Sequence, residues 1–99
     1  MSNYYDRDGK PMTLTEWSKA VEKPDAKRVA EDTLPNGMWV STVWLGIDHN
    51  YSDTGSPIIF ETMVFPSKDG PLDEQDVERY ATESEAVTGH KAMVAKWAE

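Results

Sequence analysis

Two runs in the middle of the chain, Trp39-Val-Ser-Thr-Val-Trp-Leu45 and Ile58-Ile-Phe-Glu-Thr-Met-Val-Phe65, are built from β-branched and aromatic residues. Gly, Pro, Asn and Asp bound both, so they read as strands over 39–45 and 58–65. Alternation places Val40, Thr42 and Trp44 on one face of the first strand and Trp39, Ser41, Val43 and Leu45 on the other. In the second, Ile58, Phe60, Thr62 and Val64 oppose Ile59, Glu61, Met63 and Phe65. Every face carries large apolar groups. A helix is expected on one side of this pair, and a second layer or a partner chain on the other. Upstream, 27–33 alternates weakly around Val29 and is rich in charge, the pattern of a guarded edge strand. Leu34-Pro-Asn-Gly37 joins it to the central strand as a hairpin, with Asn-Gly expected to supply positive φ. A fourth strand is predicted over 76–81.

Periodicity changes at both ends of this sheet. Thr13-Leu-Thr-Glu16 is a capping box, in which Thr13 accepts the amide of Glu16 while the Glu16 side chain reaches back. Leu14, Trp17, Ser18 and Val21 follow at helical spacing, and Lys23-Pro24 ends the run, predicting a helix over 14–22. Thr82-Glu-Ser-Glu85 is a second capping box and opens a helix over 83–97. Its expected inner face is Ala86, Val87, His90, Met93, Val94 and Trp97. Gly89 within it costs about 1 kcal/mol relative to alanine, which a close approach of another element would explain. Asp6-Arg-Asp-Gly-Lys-Pro11 is turn chemistry. It lacks the later oxygen ligands of a calcium loop. The fold expected is α+β: an antiparallel sheet of about four strands, one face covered by both helices, forming a single domain over 1–99.

Composition fits a packed core, with 38% hydrophobic residues and four tryptophans among 99. A domain this small leaves apolar surface uncovered, and a homodimer is the expected remedy. The formal charge of -8 disfavours direct nucleic-acid binding, because phosphate contacts need Lys and Arg. The excess acid gathers in 69–85, as Asp69, Asp73, Glu74, Asp76, Glu78, Glu83 and Glu85 against Arg79 alone. That run is either a solvated face or a surface that docks a basic partner. Cysteine is absent, which removes disulfides, thiolate metal sites and cysteine nucleophiles. No stretch is long enough to cross a bilayer and the N-terminus has no signal-like run, so a cytoplasmic protein is expected. Asn50-Tyr51-Ser52 matches a glycosylation sequon that has no meaning without secretion.

The ionisable groups that stand out are Asp48, His49, Glu61 and His90. Glu61 interrupts an apolar strand, where a lone carboxylate is costly unless paired or protonated. His90 falls on the apolar face of the last helix. A Glu61–His90 hydrogen bond would satisfy both, either as a structural pair or as an acid/base pair in a pocket. Asp48 and His49 begin a polar loop with Asn50, Tyr51, Ser52 and Asp53, which is either a surface turn or a binding loop. With Trp44 lining an aromatic pocket, Asp48, His49, Glu61 and His90 form the candidate ligand-binding set. The spacing of these donors is not that of a metal site, so neither a metal nor a cofactor is assigned. No Gly-x-Ser-x-Gly elbow and no phosphate-cradling glycine loop is present, so no catalytic residue is assigned.

Tyr4-Tyr5-Asp6 through Gly9-Lys-Pro11, Glu16-Trp17, Val40-Ser-Thr-Val-Trp-Leu-Gly46 with Asp48-His49, Ile59-Phe-Glu-Thr-Met-Val-Phe65 and Tyr80-x-Thr82-x-x-Glu85-Ala86-x-x-Gly89-His90 span nearly the whole chain. Together they resemble a group of short proteins encoded by bacteriophages, notably those of actinobacteria, and by their hosts. The resemblance implies a phage or prophage origin and brings no catalytic residues with it. The function expected is that of a non-catalytic accessory protein that binds a host protein or sequesters a small molecule, modifying host metabolism or blunting a defence. The alternatives are a small metal-dependent or acid/base hydrolase using Glu61 and the histidines, and a minor structural protein of the virion.

Overall fold

A computed structural model describes residues 3–23, 25–50 and 55–98. Eight elements follow in order: β1 (Tyr4–Tyr5), β2 (Pro11–Met12), α1 (Leu14–Glu22), β3 (Arg28–Thr33), β4 (Trp39–Trp44), β5 (Phe60–Phe65), β6 (Asp76–Tyr80) and α2 (Glu83–Trp97). The last four strands form one antiparallel sheet in chain order, and β1 and β2 form a separate small hairpin. The fold is therefore α+β, with the four expected strands and two expected helices in place. Both helices begin with a complete capping box, at Thr13 with Glu16 and at Thr82 with Glu85. Pro24, expected to stop α1, lies outside the described residues; the helix ends at Glu22, with Lys23 already extended.

The register fixes which side chains share a face. Thr42 pairs with Thr62, Val40 with Val64 and Trp44 with Phe60, so these six residues line one side of the central strands. Ala86, His90 and Met93 of α2 are buried against that side. Two clusters make the core: Leu34, Val40, Val64 and Met93 at one end, and Trp44, Ile59, Phe60 and Ala86 at the other. Ile59 lies before β5 begins and belongs to this covered core, although simple alternation assigned it to the Glu61 face. Val87, expected to point inward, is exposed at 38%, because the buried line of α2 runs through residues 86, 90 and 93.

Both helices pack on the covered core, as expected: Trp17, Ala20 and Val21 of α1 lie against the cluster of Trp44, Ile59, Phe60 and Ala86. Contacts from α2 run across β3, β4, β5 and β6, while α1 also rests on β1. Trp17 holds α1 at the end of the sheet. Its ring covers Gly46, its indole N–H donates to Leu45 O at 3.1 Å, and Tyr4 packs on it at 5.1 Å. Gly46 takes φ +74° beneath that indole, a place where a Cβ would collide with both Trp17 and Trp44. The hairpin at 34–38 also differs from expectation. Gly37 alone adopts positive φ, its N–H donates to Leu34 O, and Leu34 N–H donates to Met38 O. This is a turn followed by a left-handed glycine rather than a two-residue loop.

Candidate functional site

The covered face holds a continuous set of polar groups. His90 is placed there by the capped start of α2 and is 4% exposed, while Thr42 and Thr62 have no exposure at all. His90 Nδ1 lies 2.7 Å from Thr42 Oγ1, and its Nε2 lies 2.7 Å from Asp32 Oδ2. Thr42 Oγ1 is also hydrogen-bonded to Thr62 Oγ1, which accepts from the Tyr80 hydroxyl at 3.2 Å. Asp32, Thr42, Thr62 and Tyr80 belong to β3, β4, β5 and β6, so the network crosses every strand of the sheet. A carboxylate only accepts, so the Nε2 that faces Asp32 carries a proton. Burial pushes the Tyr80 phenol above its ordinary value, which keeps it protonated.

Asp32, His90 and Thr42 have the connectivity of an acid–base–nucleophile relay. Thr42 is nevertheless sealed beneath α2, and its oxygen is bonded to both His90 and Thr62. A nucleophile must reach its electrophile, and this hydroxyl reaches only protein. Among the described residues no buried side-chain polar atom lacks a partner. A network satisfied in this way fixes α2 on the sheet.

Among the described residues, no helix covers the opposite face. Register aligns three rows across it: Arg28, Val43, Glu61 and Arg79; then Glu31, Ser41, Met63 and Val77; then Thr33, Trp39 and Phe65. Trp39 and Phe65 stack at 5.4 Å, and the Arg28 guanidinium lies 5.5 Å from the Trp39 ring centre. Arg28 donates to Ser41 Oγ at 2.6 Å, and Arg79 Nε donates to Glu61 Oε2 at 2.9 Å. Lys68 lies 3.1 Å from Glu31, whose carboxyl is held below the usual range first by that lysine and then by the Trp39 indole. Leu72, 72% exposed, overhangs a cleft of about 280 Å³ floored by Ser41, Glu61 and Met63. Three cations and two carboxylates share this face, in a chain whose formal charge is -8.

The expected Glu61–His90 pair does not form. Glu61 lies on the helix-free face with Arg79, and His90 lies beneath α2 with Thr42 and Asp32. Adjacent residues of β5 point to opposite sides, and it is Thr62, not Glu61, that faces the helix. The other candidate residues are also dispersed. Trp44 is buried, with its indole N–H on Tyr5 O. Asp48 accepts the amides of Asn50 and Ile58 at 2.7 and 2.9 Å and so shapes the loop that follows β4. His49 Nδ1 lies 2.8 Å from Ile47 O. Tyr51, Ser52 and Asp53 of that loop lie outside the described residues, and so does most of the sequon. Asp48, His49, Glu61, His90 and Trp44 therefore do not converge. Among the described residues no group of three His, Asp or Glu is placed to hold a metal ion.

The acidic run over 69–85 is partly spent inside the fold. Asp76 takes Lys96 at 2.7 Å and the Trp97 indole at 2.9 Å, and these contacts, Lys96 first, hold its carboxyl below the ordinary aspartate value. Glu83 accepts from Arg7 at 2.8 Å and Glu85 serves the Thr82 cap. Arg7 also reaches the carbonyls of Ala26 and Arg28, tying the first hairpin to α2 and β3. Sequence reasoning passed over Asp32, Thr42, Thr62, Tyr80 and Arg7. A signal for the threonines was present: each interrupts an apolar row, Val40/Trp44 or Phe60/Val64, and a hydroxyl in such a row requires a buried partner.

Among the described residues no helix is long and apolar enough to cross a membrane. No protein-family model matches the chain, and neither a curated protein nor a solved structure does.

Proposed function

We propose that this chain is a non-catalytic binding protein, an accessory protein of phage or prophage origin, and that it binds a host protein through the helix-free face of its sheet. The observation that carries this reading is the contrast between the two faces. One is sealed by α2 with its polar groups satisfied internally; the other leaves Leu72 and Val77 exposed beside Trp39, Met63 and Phe65. Aromatic, Met and Arg side chains together are the composition of interface centres. The cleft, about 280 Å³, lies half open along the sheet rather than enclosed, a shape that receives a protein surface.

Site-specific photo-crosslinking in the host tests it. A photoreactive residue at position 72 should yield one discrete host adduct, whereas the same residue at position 87, on the outer side of α2, should yield none. With Arg28, Lys68 and Arg79 around the cleft, the yield should fall as salt rises. Adducts from position 87 alone, or from neither position, would contradict the reading.

A further inference from the structure

The hydrogen bonds beneath α2 have a direction, and His90 sets it. Each hydroxyl has one proton to give. While His90 is neutral, its proton sits on Nε2 and points at Asp32, so Nδ1 accepts and Thr42 must be the donor to it. Thr42 has then spent its proton, so Thr62 donates to Thr42 and Tyr80 donates to Thr62. The phenol proton is turned inward, and Oη offers only lone pairs to the groove beside it. That groove, about 320 Å³, runs between β6 and α2 and is lined by Glu78, Tyr80, Gly89, Ala92, Met93 and Lys96.

An imidazolium carries protons on both nitrogens. Nδ1–H would then donate to Thr42, Thr42 to Thr62 and Thr62 to Tyr80, and the phenol proton would turn outward. We propose that the charge on His90 sets the hydrogen-bonding polarity of Tyr80 at this groove: an acceptor when His90 is neutral, a donor when it is charged. The inference is independent of what the helix-free face binds.

The surroundings of His90 are simple enough for such control. Asp32 on β3 is its direct ionisable contact, and the Asp32 side chain is 54% exposed, which opens the ring to protons from water. The covered faces of β4 and β5 contribute only Val40, Thr42, Trp44, Phe60, Thr62 and Val64, none of which ionises near neutral pH. From β6 come Asp76, Glu78 and Tyr80, of which Asp76 is held by Lys96 and Trp97. On α2 itself, Glu83 is engaged by Arg7 and Glu85 by Thr82, and Lys91 is exposed. Among the described residues, no second charge is bonded to the imidazole.

Nuclear magnetic resonance on the full chain, labelled at histidine and tyrosine, tests the proposal across the range in which histidine titrates. Neutral His90 should be the Nε2–H tautomer, and the Tyr80 Cζ shift should titrate with the midpoint of His90 and not with that of His49. The phenol proton should exchange slowly while His90 is neutral and quickly once it is charged. Thr42→Val and Thr62→Val each interrupt the chain at a different hydroxyl, and in either folded variant Tyr80 should stop following His90. An Nδ1–H tautomer, a His90 that never titrates in the folded protein, a Tyr80 signal indifferent to His90, or coupling that survives both substitutions would overturn the proposal. If neither variant folds, the wild-type titration decides alone: a midpoint shared by His90 and Tyr80 but absent at Tyr4 and Tyr5 supports it.

Discussion

Gly89 stands in α2 at the point where the Tyr80 ring crosses the helix, and a Cβ there would collide with Cε1, Cζ and Oη of that ring. Tyr80 cannot simply swing aside, because its hydroxyl is tied to Thr62. Gly89→Ala gains about 1 kcal/mol of helix propensity. Overpacking costs about 1–3 kcal/mol. The net expectation is a loss of stability, on the order of 1 kcal/mol, measured by urea unfolding against wild type. The close approach behind Gly89 is legible in the sequence as a glycine within an otherwise good helix; the identity of the intruding ring is not. Glu61 teaches the same limit. Its need for a partner was legible, but both faces of β5 are apolar enough to accept α2. The helix took the Thr62 face, and Arg79 on the edge strand met the carboxylate instead.

At the scale of elements, both helices were legible to their ends because a capping box and a helical period coincide at each. Thr82→Ala removes the acceptor for the Glu85 amide and should cost about 1 kcal/mol, read as a lower urea midpoint with unchanged slope. The β1–β2 hairpin was not legible, since two-residue strands have no alternation to detect. Its turn is organised by Asp6 Oδ1, which accepts the amides of Asp8 and Lys10. The last turn of α2 is fastened to β6 by Asp76, whose folded carboxyl titrates below its ordinary value. A depressed carboxylate contributes stability that is present above the unfolded pKa, near 3.8, and lost as pH falls through the lower folded value. Asp76→Asn should therefore be less stable than wild type at neutral pH, and the gap should close in acid below that window. A gap that stays constant with pH would mean that the Lys96 and Trp97 contacts do not depend on the charge.

Over the whole molecule, the sheet divides the protein into a half covered by α2 and a helix-free half, on which Ser41, Glu61 and Phe65 are buried while Leu72 and Val77 are exposed. The sequence carries the two apolar faces of β4 and β5 plainly, yet which face α2 would cover was decided by the placement of Thr42, Thr62, His90 and Asp32, a set whose ends lie 58 positions apart in the chain. That division is the foundation of the binding role proposed above, and it can be observed without knowing any partner. Relaxation by a soluble paramagnetic agent should strongly attenuate the side-chain signals of Leu72, Val77, Met63 and Trp39 in the isolated protein, and spare Val40, Val64, Ile59 and Met93. Equal protection of the two sets, or attenuation of the second, would contradict it.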